Sequence, residues 1–268
     1  MEGMAFQPTK PKLPTFLCVG AQKAGTTTLH SLLGLHSKIF LPSRKEIHYF
    51  SLHYKMGLKW YSDFFSSAKD NQLRGEITPY YLFHPYVAER IAQDLGPVRI
   101  IILLRDPVAR TLSHYSHACR LGFEDLSLEQ ALNAESSRLA GADSVLKAID
   151  GRHQHHQECS YLSRSLYRDQ VERYWKWFGR SNVLVIPSEF MFNSPWGCVE
   201  KIFAFLGLPS CDMPGERALN IHNNKGIDST HNIDSALADS IKRDLWDSYE
   251  FARNELEWDI FAPWLWSE

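Results

Sequence analysis

The chain has 268 residues, of which 44% are hydrophobic and 13% aromatic, enough to form the core of one sizeable domain. A formal net charge of −2 leaves no overall positive excess for binding nucleic acid or an anionic membrane surface, so an anionic ligand would have to meet a local cluster of cations. The five cysteines are odd in number and form no C-x-x-C pair, so we expect neither a disulfide framework nor a metal site.

The sequence contains no candidate targeting or membrane segment. The first residues, MEGMAFQPTKPKLP, include no apolar run as long as that of a signal peptide, and no later run approaches the length of a membrane span. We therefore predict a cytoplasmic protein with one domain over residues 1–268, in which residues 1–13 form a flexible N-terminus. The sequence leaves a homodimer open.

Three short apolar runs predict buried parallel strands, and a helical pattern follows each of them. These runs are TFLCVG at 15–20, RIIILL at 99–104 and NVLVIP at 182–187. Further helices are predicted at 84–95, 161–178 and 235–256, and the polar stretch GRHQHHQECS at 151–160 indicates an exposed loop. Strands that alternate with helices predict an α/β fold with a central parallel sheet flanked by helices, in which ligands bind at the carboxyl ends of the strands.

The turn after the first strand, VGAQKAGTTTL at 19–29, has the features of an anion site. Gly20 and Gly25 have the spacing of the nucleotide loop G-x-x-x-x-G-K-[ST], but Thr26 follows the second glycine and Lys23 lies inside the loop. Backbone N–H groups at such a turn point at an anion, and the helix N-terminus adds partial positive charge. The alternative is a helix that a threonine simply caps after a tight turn. We predict a P-loop-like three-layer fold with an altered phosphate loop.

A second candidate ligand group follows the second predicted strand, in RIIILLRDPVARTLSHY. Arg105 would point into the same crevice as the first loop, and Ser113, two turns into the next helix, would add a hydroxyl. Pro107 is suited to the first turn of that helix. Asp106 lies one residue late for a strand-end magnesium ligand. From the residues alone, Arg105 is as consistent with the edge of the core as with a ligand site.

Taken together, these motifs resemble the nucleotide signatures of sulfotransferases that use 3′-phosphoadenosine 5′-phosphosulfate (PAPS). The two patterns are K-x-G-T-[TS]-x-L after the first strand and R-[DN]-P-x-x-R-x-x-S-x-Y after a later one. Four further segments resemble the branch that contains the heparan sulfate N- and 3-O-sulfotransferases and related bacterial enzymes, at 45–65, 75–91, 165–178 and 224–228. The resemblance runs in order from about Pro14 to about Asp228.

The resemblance implies a nucleotide site made of two parts. The 5′-phosphosulfate loop would consist of Gln22, Lys23, Ala24, Gly25, Thr26, Thr27 and Thr28. Arg105 and Ser113 would bind the 3′-phosphate, and Tyr167 would lie near that phosphate or the adenine. Lys225 and Gly226 would close over the nucleotide. Lys23 would be catalytic, because it would lie where negative charge grows on the leaving oxygen.

The acceptor must lose a proton during attack, so a general base is expected. The resemblance assigns this role to Glu46 in RKEIHYF, with His48 as the alternative. If the segment is extended, residues two apart face the same side, and both side chains would face one pocket. The plainer alternatives are that Glu46 only pairs with Lys45 or Arg44 and that His48 lies at the edge of the core.

Two departures from the glycosaminoglycan enzymes concern the acceptor. Those enzymes usually carry a lysine after the glutamate that corresponds to Glu76, whereas this chain has Ile77, and Cys211 lacks the near partner that is common in the secretory enzymes. We therefore expect a bacterial-type soluble enzyme whose acceptor is a small metabolite, a lipid or natural product, or a simple glycan.

The sequence therefore favours a metal-independent sulfotransferase that moves the sulfuryl group of PAPS in line to a hydroxyl and releases PAP, the 3′,5′-bisphosphate. An amine acceptor stays open. One alternative is an ATP-dependent small-molecule kinase on the same sheet, which would require magnesium and a lysine directly after Gly25. Another is a nucleotide-binding module that has lost catalysis.

Overall fold

The computed structural model describes residues 11–210 and 233–258. In this part of the chain, five strands form a parallel sheet in the order β2-β3-β1-β4-β5. The strands are β1 (Phe16–Gly20), β2 (Ile39–Phe40), β3 (Leu73–Ile77), β4 (Arg99–Leu104) and β5 (Val183–Pro187). The three predicted strands are confirmed as β1, β4 and β5, and β1 lies at the centre of the sheet.

Helices flank this sheet in two groups, α1 with α12, and α4 and α5 with α10. In chain order they are α1 (Thr26–Leu33), α2 (Tyr49–Leu52), α3 (Gly57–Asp63), α4 (Tyr80–Phe83), α5 (Val87–Leu95), α6 (Pro107–Leu121), α7 (Leu128–Leu139), α8 (Ala142–Lys147), α9 (Gln154–Glu158), α10 (Arg168–Phe178), α11 (Ser188–Asn193), α12 (Pro195–Leu206), α13 (Ser235–Asp244) and α14 (Trp246–Glu255). The α/β fold class predicted from the sequence is confirmed.

The two central strands are apolar because helices cover both faces of the sheet. Every residue of β1 is buried, and so is every residue of β4 after Arg99. Helix α6 begins as predicted, with Pro107 in its first turn, and ends at Gly122, whose φ of 75° is easy for glycine. The loop after β1 and the turn after β4 therefore start from adjacent strands at the same edge of the sheet.

Three predicted helices differ from the observed ones. The helix predicted at 84–95 begins only at Val87, because His84 precedes Pro85 and adopts an extended conformation. The helix predicted at 161–178 begins at Arg168. The helix predicted at 235–256 is divided into α13 and α14 at Leu245, which is fully buried.

The prediction of an exposed loop at 151–160 is wrong. This stretch contains α9, and His156 within it is only 7% exposed. The His156 ring stacks on Phe83 with centroids 4.2 Å apart and shares a hydrogen bond of 2.8 Å with the Tyr80 hydroxyl. Burial and the neighbouring cations, Arg164 first, lower the pKa of His156 to about 2. The sequence did not reveal this burial, because polar side chains that are buried in their neutral form give no hydrophobic pattern.

The start of the described chain is tied to β3 and the residues before it. Lys12 donates to the Ala68 carbonyl, and Arg74 Nε donates to the Leu13 carbonyl at 2.6 Å. Lys12 and Leu13 fall in the segment that the sequence predicts to be a flexible terminus. In the described ranges, no helix has the length and apolar character needed to cross a bilayer.

Candidate functional site

The loop between β1 and α1 ends in a helix start that no side chain caps. Gly25 is the N-cap residue of α1, with φ of 89°, and the cap has no side-chain hydrogen bond. A Cβ atom at Gly25 would clash with the Met191 side chain and lie 2.9 Å from Cζ of Phe192, so the turn requires glycine. The threonine cap considered from the sequence is therefore not formed. The N-terminus of α1 keeps the partial positive charge that favours an anion.

Lys23 is held in this loop among other cations. Its backbone adopts a left-handed conformation with φ of 71°, and its side chain is half-buried. Burial and the charges of Arg120, Arg105, Arg110 and Lys45, in that order, lower the pKa of Lys23 from 10.5 to about 8. Cations close enough to lower the pKa of Lys23 create a local positive potential on a chain whose net charge is −2.

Arg105 lies directly after β4 and contacts the loop. Its Nη1 atom donates to the Lys23 carbonyl at 3.3 Å, so the two segments that are predicted to bind phosphate contact each other. Tyr167 is fully buried, and its hydroxyl donates to the Arg105 carbonyl at 2.7 Å, which fixes the backbone from behind. Ser113 is half-buried on α6. The phosphate contacts of these residues stay predictions.

The Asp106 side chain stabilises the fold through hydrogen bonds to protein groups. Its Oδ1 atom accepts from the Ala109 backbone N–H at 2.7 Å and caps α6, and its Oδ2 atom accepts from the Tyr249 hydroxyl at 2.7 Å. Burial raises the pKa of Asp106. Because both carboxylate oxygens already accept hydrogen bonds from protein groups, this residue is poorly placed to act as a strand-end magnesium ligand.

The two candidate bases meet, but not in the predicted way. Glu46 and His48 both have φ of 58°, so the segment is not extended. The turn nevertheless places His48 Nε2 3.6 Å from Glu46 Oε2. Lys45 Nζ donates to Glu46 Oε1 at 2.9 Å and to Thr27 Oγ1 at 2.8 Å, and thereby connects Glu46 to the first turn of α1. The Glu46 backbone N–H is anchored on the Ile77 carbonyl at the end of β3.

The charge state of Glu46 follows from these contacts. Burial by itself raises the pKa of this carboxyl, but the hydrogen bond from His48 and the charge and hydrogen bond of Lys45 outweigh it and lower the pKa to about 2. Glu46 is therefore ionised at neutral pH and is a weak proton acceptor while Lys45 holds it. His48 Nδ1 shares a hydrogen bond of 3.1 Å with the Ser51 hydroxyl, so both ring nitrogens have polar neighbours.

A buried acidic residue, to which the sequence assigned no role in the site, supports this turn. Glu76 accepts hydrogen bonds from three hydroxyl groups, those of Tyr61, Thr78 and Tyr81. The Tyr81 oxygen in turn accepts from the backbone N–H of Phe50, close to the candidate bases, at 3.2 Å. Burial raises the pKa of Glu76. The network joins β3 to the segment that carries Glu46.

Two further residues at the site were missed from the sequence. Arg164, from the short turn at 163–165, is buried and donates to Gln22 Oε1 in the loop. His117 lies one helical turn after Ser113 on α6, and its Nδ1 atom accepts from Arg120 Nη2 at 2.8 Å. The four-residue spacing from Ser113 is a signal that could have identified His117. No signal in the sequence distinguishes Arg164 from other arginines.

The remaining predicted residues are placed as follows. Ala24 is buried, and its carbonyl accepts from the Ser188 hydroxyl at 2.7 Å, which ties the loop to α11. Thr26 is buried, and Thr28 is half-buried in the same helical turn. The predictions for Lys225 and Gly226, like the remark on Cys211, concern positions outside the described residues.

A parallel sheet whose central strand ends in a cationic, glycine-bounded loop at a helix N-terminus defines an α/β protein of the P-loop-like class. The family model described as "Sulfotransferase domain" matches residues 13–248. The chain belongs to the sulfotransferase family, as its motifs predicted.

Individual relatives agree with this assignment. Heparan sulfate glucosamine 3-O-sulfotransferase 6 of Homo sapiens is 27% identical over 205 residues, which is 76% of this chain and 55% of the relative. Membrane-associated sulfotransferase kil1 of Dictyostelium discoideum is 42% identical over 106 residues, 38% of this chain and 22% of the relative. The chain therefore spans only 22% to 55% of the length of these two relatives.

Solved structures share the fold. A sulfotransferase from Alicyclobacillus acidocaldarius superposes with a TM-score of 0.72 at 26% identity and covers 92% of this chain and 96% of its own. Mouse sulfotransferase SULT7A1, whose structure is a complex with PAP, superposes with a TM-score of 0.54 at 17% identity and covers 90% of this chain and 85% of its own.

Proposed function

We propose that the chain transfers the sulfuryl group of PAPS to a hydroxyl acceptor and releases PAP. The observation that carries this proposal is the pair of cations at the loop: Lys23, with its pKa lowered to about 8, and Arg105, which donates to the Lys23 carbonyl. Within the described residues, neither side chain forms an ion pair with a carboxylate. A ligand with negative charge at two positions would relieve the repulsion among these cations.

The residues present fit a nucleotide of this kind. The start of α1, with Lys23, Thr27 and Thr28, would bind the 5′-phosphosulfate end, and Arg105 with Ser113 would bind the 3′-phosphate through paired guanidinium donors. PAPS supplies a sulfuryl group that is already activated by its bond to a phosphate oxygen. Lys23 would donate a hydrogen bond to that oxygen as its negative charge grows. The complex of the mouse structural neighbour with PAP supports this choice of ligand.

Glu46 is the proposed general base, with His48 as its alternative. While Lys45 holds it, Glu46 has a pKa of about 2 and accepts a proton poorly. Lys45 also contacts Thr27, so an anion at the loop would compete with Glu46 for this cation. Nucleotide binding would thereby raise the proton affinity of Glu46 at the moment when a base is needed. In this scheme His48, which lies beside the Glu46 carboxylate, would orient that carboxylate.

The acceptor is proposed to be a small metabolite, a lipid or a glycan. Two relatives are named for sulfation of heparan sulfate, the 3-O-sulfotransferase and the human bifunctional N-deacetylase/N-sulfotransferase 2, which supports a glycan. Ile77, at the position where those enzymes usually carry a lysine, favours an acceptor with fewer negative charges. An O-sulfate is the favoured product, and a cytoplasmic site of action stays a prediction.

Label transfer tests the proposed reaction. The protein is incubated with ³⁵S-labelled PAPS or with γ-³²P-labelled ATP, in each case with a panel of alcohols, amines and simple glycans and with or without EDTA. We expect ³⁵S in an acceptor at a rate that EDTA does not change. Transfer from ATP alone would contradict the proposal and favour the kinase, although Asp106 is poorly placed to support one. Binding of PAPS without any turnover would favour the non-catalytic module.

Variants of the two candidate bases test whether Glu46 or His48 accepts the proton of the acceptor. We expect Glu46→Gln to abolish transfer without weakening the affinity for PAP, because this change frees Lys45 for the anion, whereas His48→Asn should retain part of the rate. A matched control is Glu172→Gln, which removes a surface carboxylate on α10. Full activity of Glu46→Gln together with inactive His48→Asn would move the base role to the histidine.

A further inference from the structure

Arg164 is a buried cation at the edge of the loop. It is 1% exposed and donates three hydrogen bonds: Nη1 to Gln22 Oε1, and Nη2 to the carbonyls of His156 at 2.7 Å and Gln157 at 2.8 Å. Its guanidinium also lies over the rings of Tyr80 and Phe83, at 5.3 Å and 4.9 Å from their centroids. Arg164 thus connects the C-terminal end of α9 to the loop and to the aromatic wall beside it.

A buried guanidinium is costly unless a carboxylate lies close enough to pair with it. In the described residues, no carboxylate lies within salt-bridge distance of Arg164, and its Nε atom has no hydrogen-bond partner. Desolvation lowers its pKa. A neutral apolar side chain of similar size would pack in this position at a lower cost. The charge is therefore better explained by its hydrogen bond to Gln22, the one side chain of the loop that Arg164 contacts.

The contact fixes the orientation of the Gln22 amide. A guanidinium only donates hydrogen bonds, so the atom of Gln22 that faces it must be the oxygen Oε1. The nitrogen Nε2 therefore points away from Arg164. Among the residues that the structure describes, no group accepts a hydrogen bond from Gln22 Nε2. The side chain is half-buried and is the neighbour of Lys23 in the sequence.

Gln22 belongs to the loop on the donor side, and contacts through Arg164 connect it to the acceptor side. Gln22 precedes Lys23 in the loop, and its partner Arg164 lies over Tyr80, whose ring centroid is 6.1 Å from that of His48. A sulfuryl group transferred from the loop toward an acceptor beside His48 would start near this amide, because Gln22 is the neighbour of Lys23 in the loop. The sulfuryl oxygens are hydrogen-bond acceptors, and the Gln22 Nε2 atom offers two N–H donors.

We propose that Arg164 is a positioning residue that sets the Gln22 amide with its N–H groups toward the sulfuryl oxygens of the donor. This inference rests on the proposed function, because it requires that PAPS binds at the loop. It assigns Gln22 a contact with the group that is transferred, whereas the loop backbone, Lys23 and Arg105 would contact the parts that PAP retains. Arg164 itself would touch neither nucleotide nor acceptor.

Comparing PAPS with PAP isolates this contact, since the two ligands differ by the sulfuryl group. Titration calorimetry on the full chain gives the ratio of the PAPS affinity to the PAP affinity for each variant. Gln22→Met removes the donors without adding charge, and we expect the ratio to fall about tenfold or more, as for one lost hydrogen bond to a charged group. Arg164→Met should lower the ratio to a similar level. The double variant should fall no further, because the arginine acts through the glutamine.

Controls separate this role from a purely structural one. Arg168→Met removes a half-buried arginine that pairs with Asp247, and it should leave the ratio unchanged. If Arg164→Met fails to fold in a thermal melt, Arg164→Lys takes its place; it keeps the charge but lacks the forked donors, and it should still lower the ratio several-fold.

The outcomes are distinct. An unchanged ratio in Gln22→Met, equal weakening of PAP and PAPS in Arg164→Met, or a double variant whose loss is the product of the two single losses would each overturn the inference. Wild-type protein that binds neither ligand would instead refute the proposed function on which the inference rests.

Discussion

The lowered pKa of Lys23 makes a quantitative prediction about pH dependence. Burial and the neighbouring cations hold this pKa at about 8 in the free protein, against an ordinary value of 10.5. The proposed role requires the protonated amine, so kcat/KM, which reports the ionisation of the free enzyme, should fall as pH rises through about 8. At pH 9 about one tenth of the protein would keep the charge, and kcat/KM should be about tenfold lower than its plateau near pH 7. Bound anions favour the charged form, so kcat should fall only at higher pH.

The assay is the initial rate of ³⁵S transfer from PAPS, at subsaturating and saturating donor, between pH 6 and 10. Lys23→Arg is the matched variant, because a guanidinium stays protonated over this range. Its rate constants should show no fall near pH 8, even if their absolute values are lower. A wild-type kcat/KM that is flat up to pH 10, or a Lys23→Arg variant with the same decline near pH 8, would refute the assignment of the charge to Lys23.

Three further outcomes are expected. Because the folded pKa of Lys23 lies below its unfolded value, the charged lysine destabilises the fold below pH 8 and this cost disappears as pH rises from about 8 to about 10.5. Lys23→Met should therefore increase the free energy of unfolding at pH 7, on the order of 1 kcal/mol after allowance for solvent screening, while transfer is lost; urea denaturation with an unchanged or lower value would contradict this. Asp106→Ala should cost about 1–2 kcal/mol through the lost cap of α6, with PAP affinity retained within a few-fold, and a variant as stable as wild type in thermal melts would argue against the cap. EDTA should leave PAPS binding unchanged in calorimetry, and a large loss of affinity would indicate a metal.

The parts of the fold that could be predicted are those with an uninterrupted apolar signal. β1, β4 and β5 are such runs, and Pro107 and the glycines at the loop identify the turns that follow. β2 has only two residues, and β3 contains Gly75 and the acidic side chain of Glu76, so neither resembles a strand in the sequence. The burial of Glu76 depends on hydroxyl groups from distant residues, and only the folded chain brings these together.

The site also contains some contacts that the sequence predicts and others that it does not. The adjacency of Lys23 and Arg105 follows from parallel strands that end at one edge of the sheet, and the sequence predicts it. The contact of Glu46 with His48 was expected for the wrong reason, since left-handed residues rather than an extended segment bring the two together. Arg164 could not be predicted at all, because its importance comes from its contact with Gln22, which lies 142 positions earlier in the sequence.

The central claim is that the loop after β1 and the residue after β4 bind two separated phosphate groups of one nucleotide. Titration calorimetry with PAP and with adenosine 5′-monophosphate, which lacks the 3′-phosphate, tests it most directly. The account predicts that PAP binds at one site per chain and about tenfold or more tightly than the monophosphate, and that Arg105→Met removes this difference. No detectable association with PAP, or equal affinity for the two nucleotides in the wild-type protein, would contradict it.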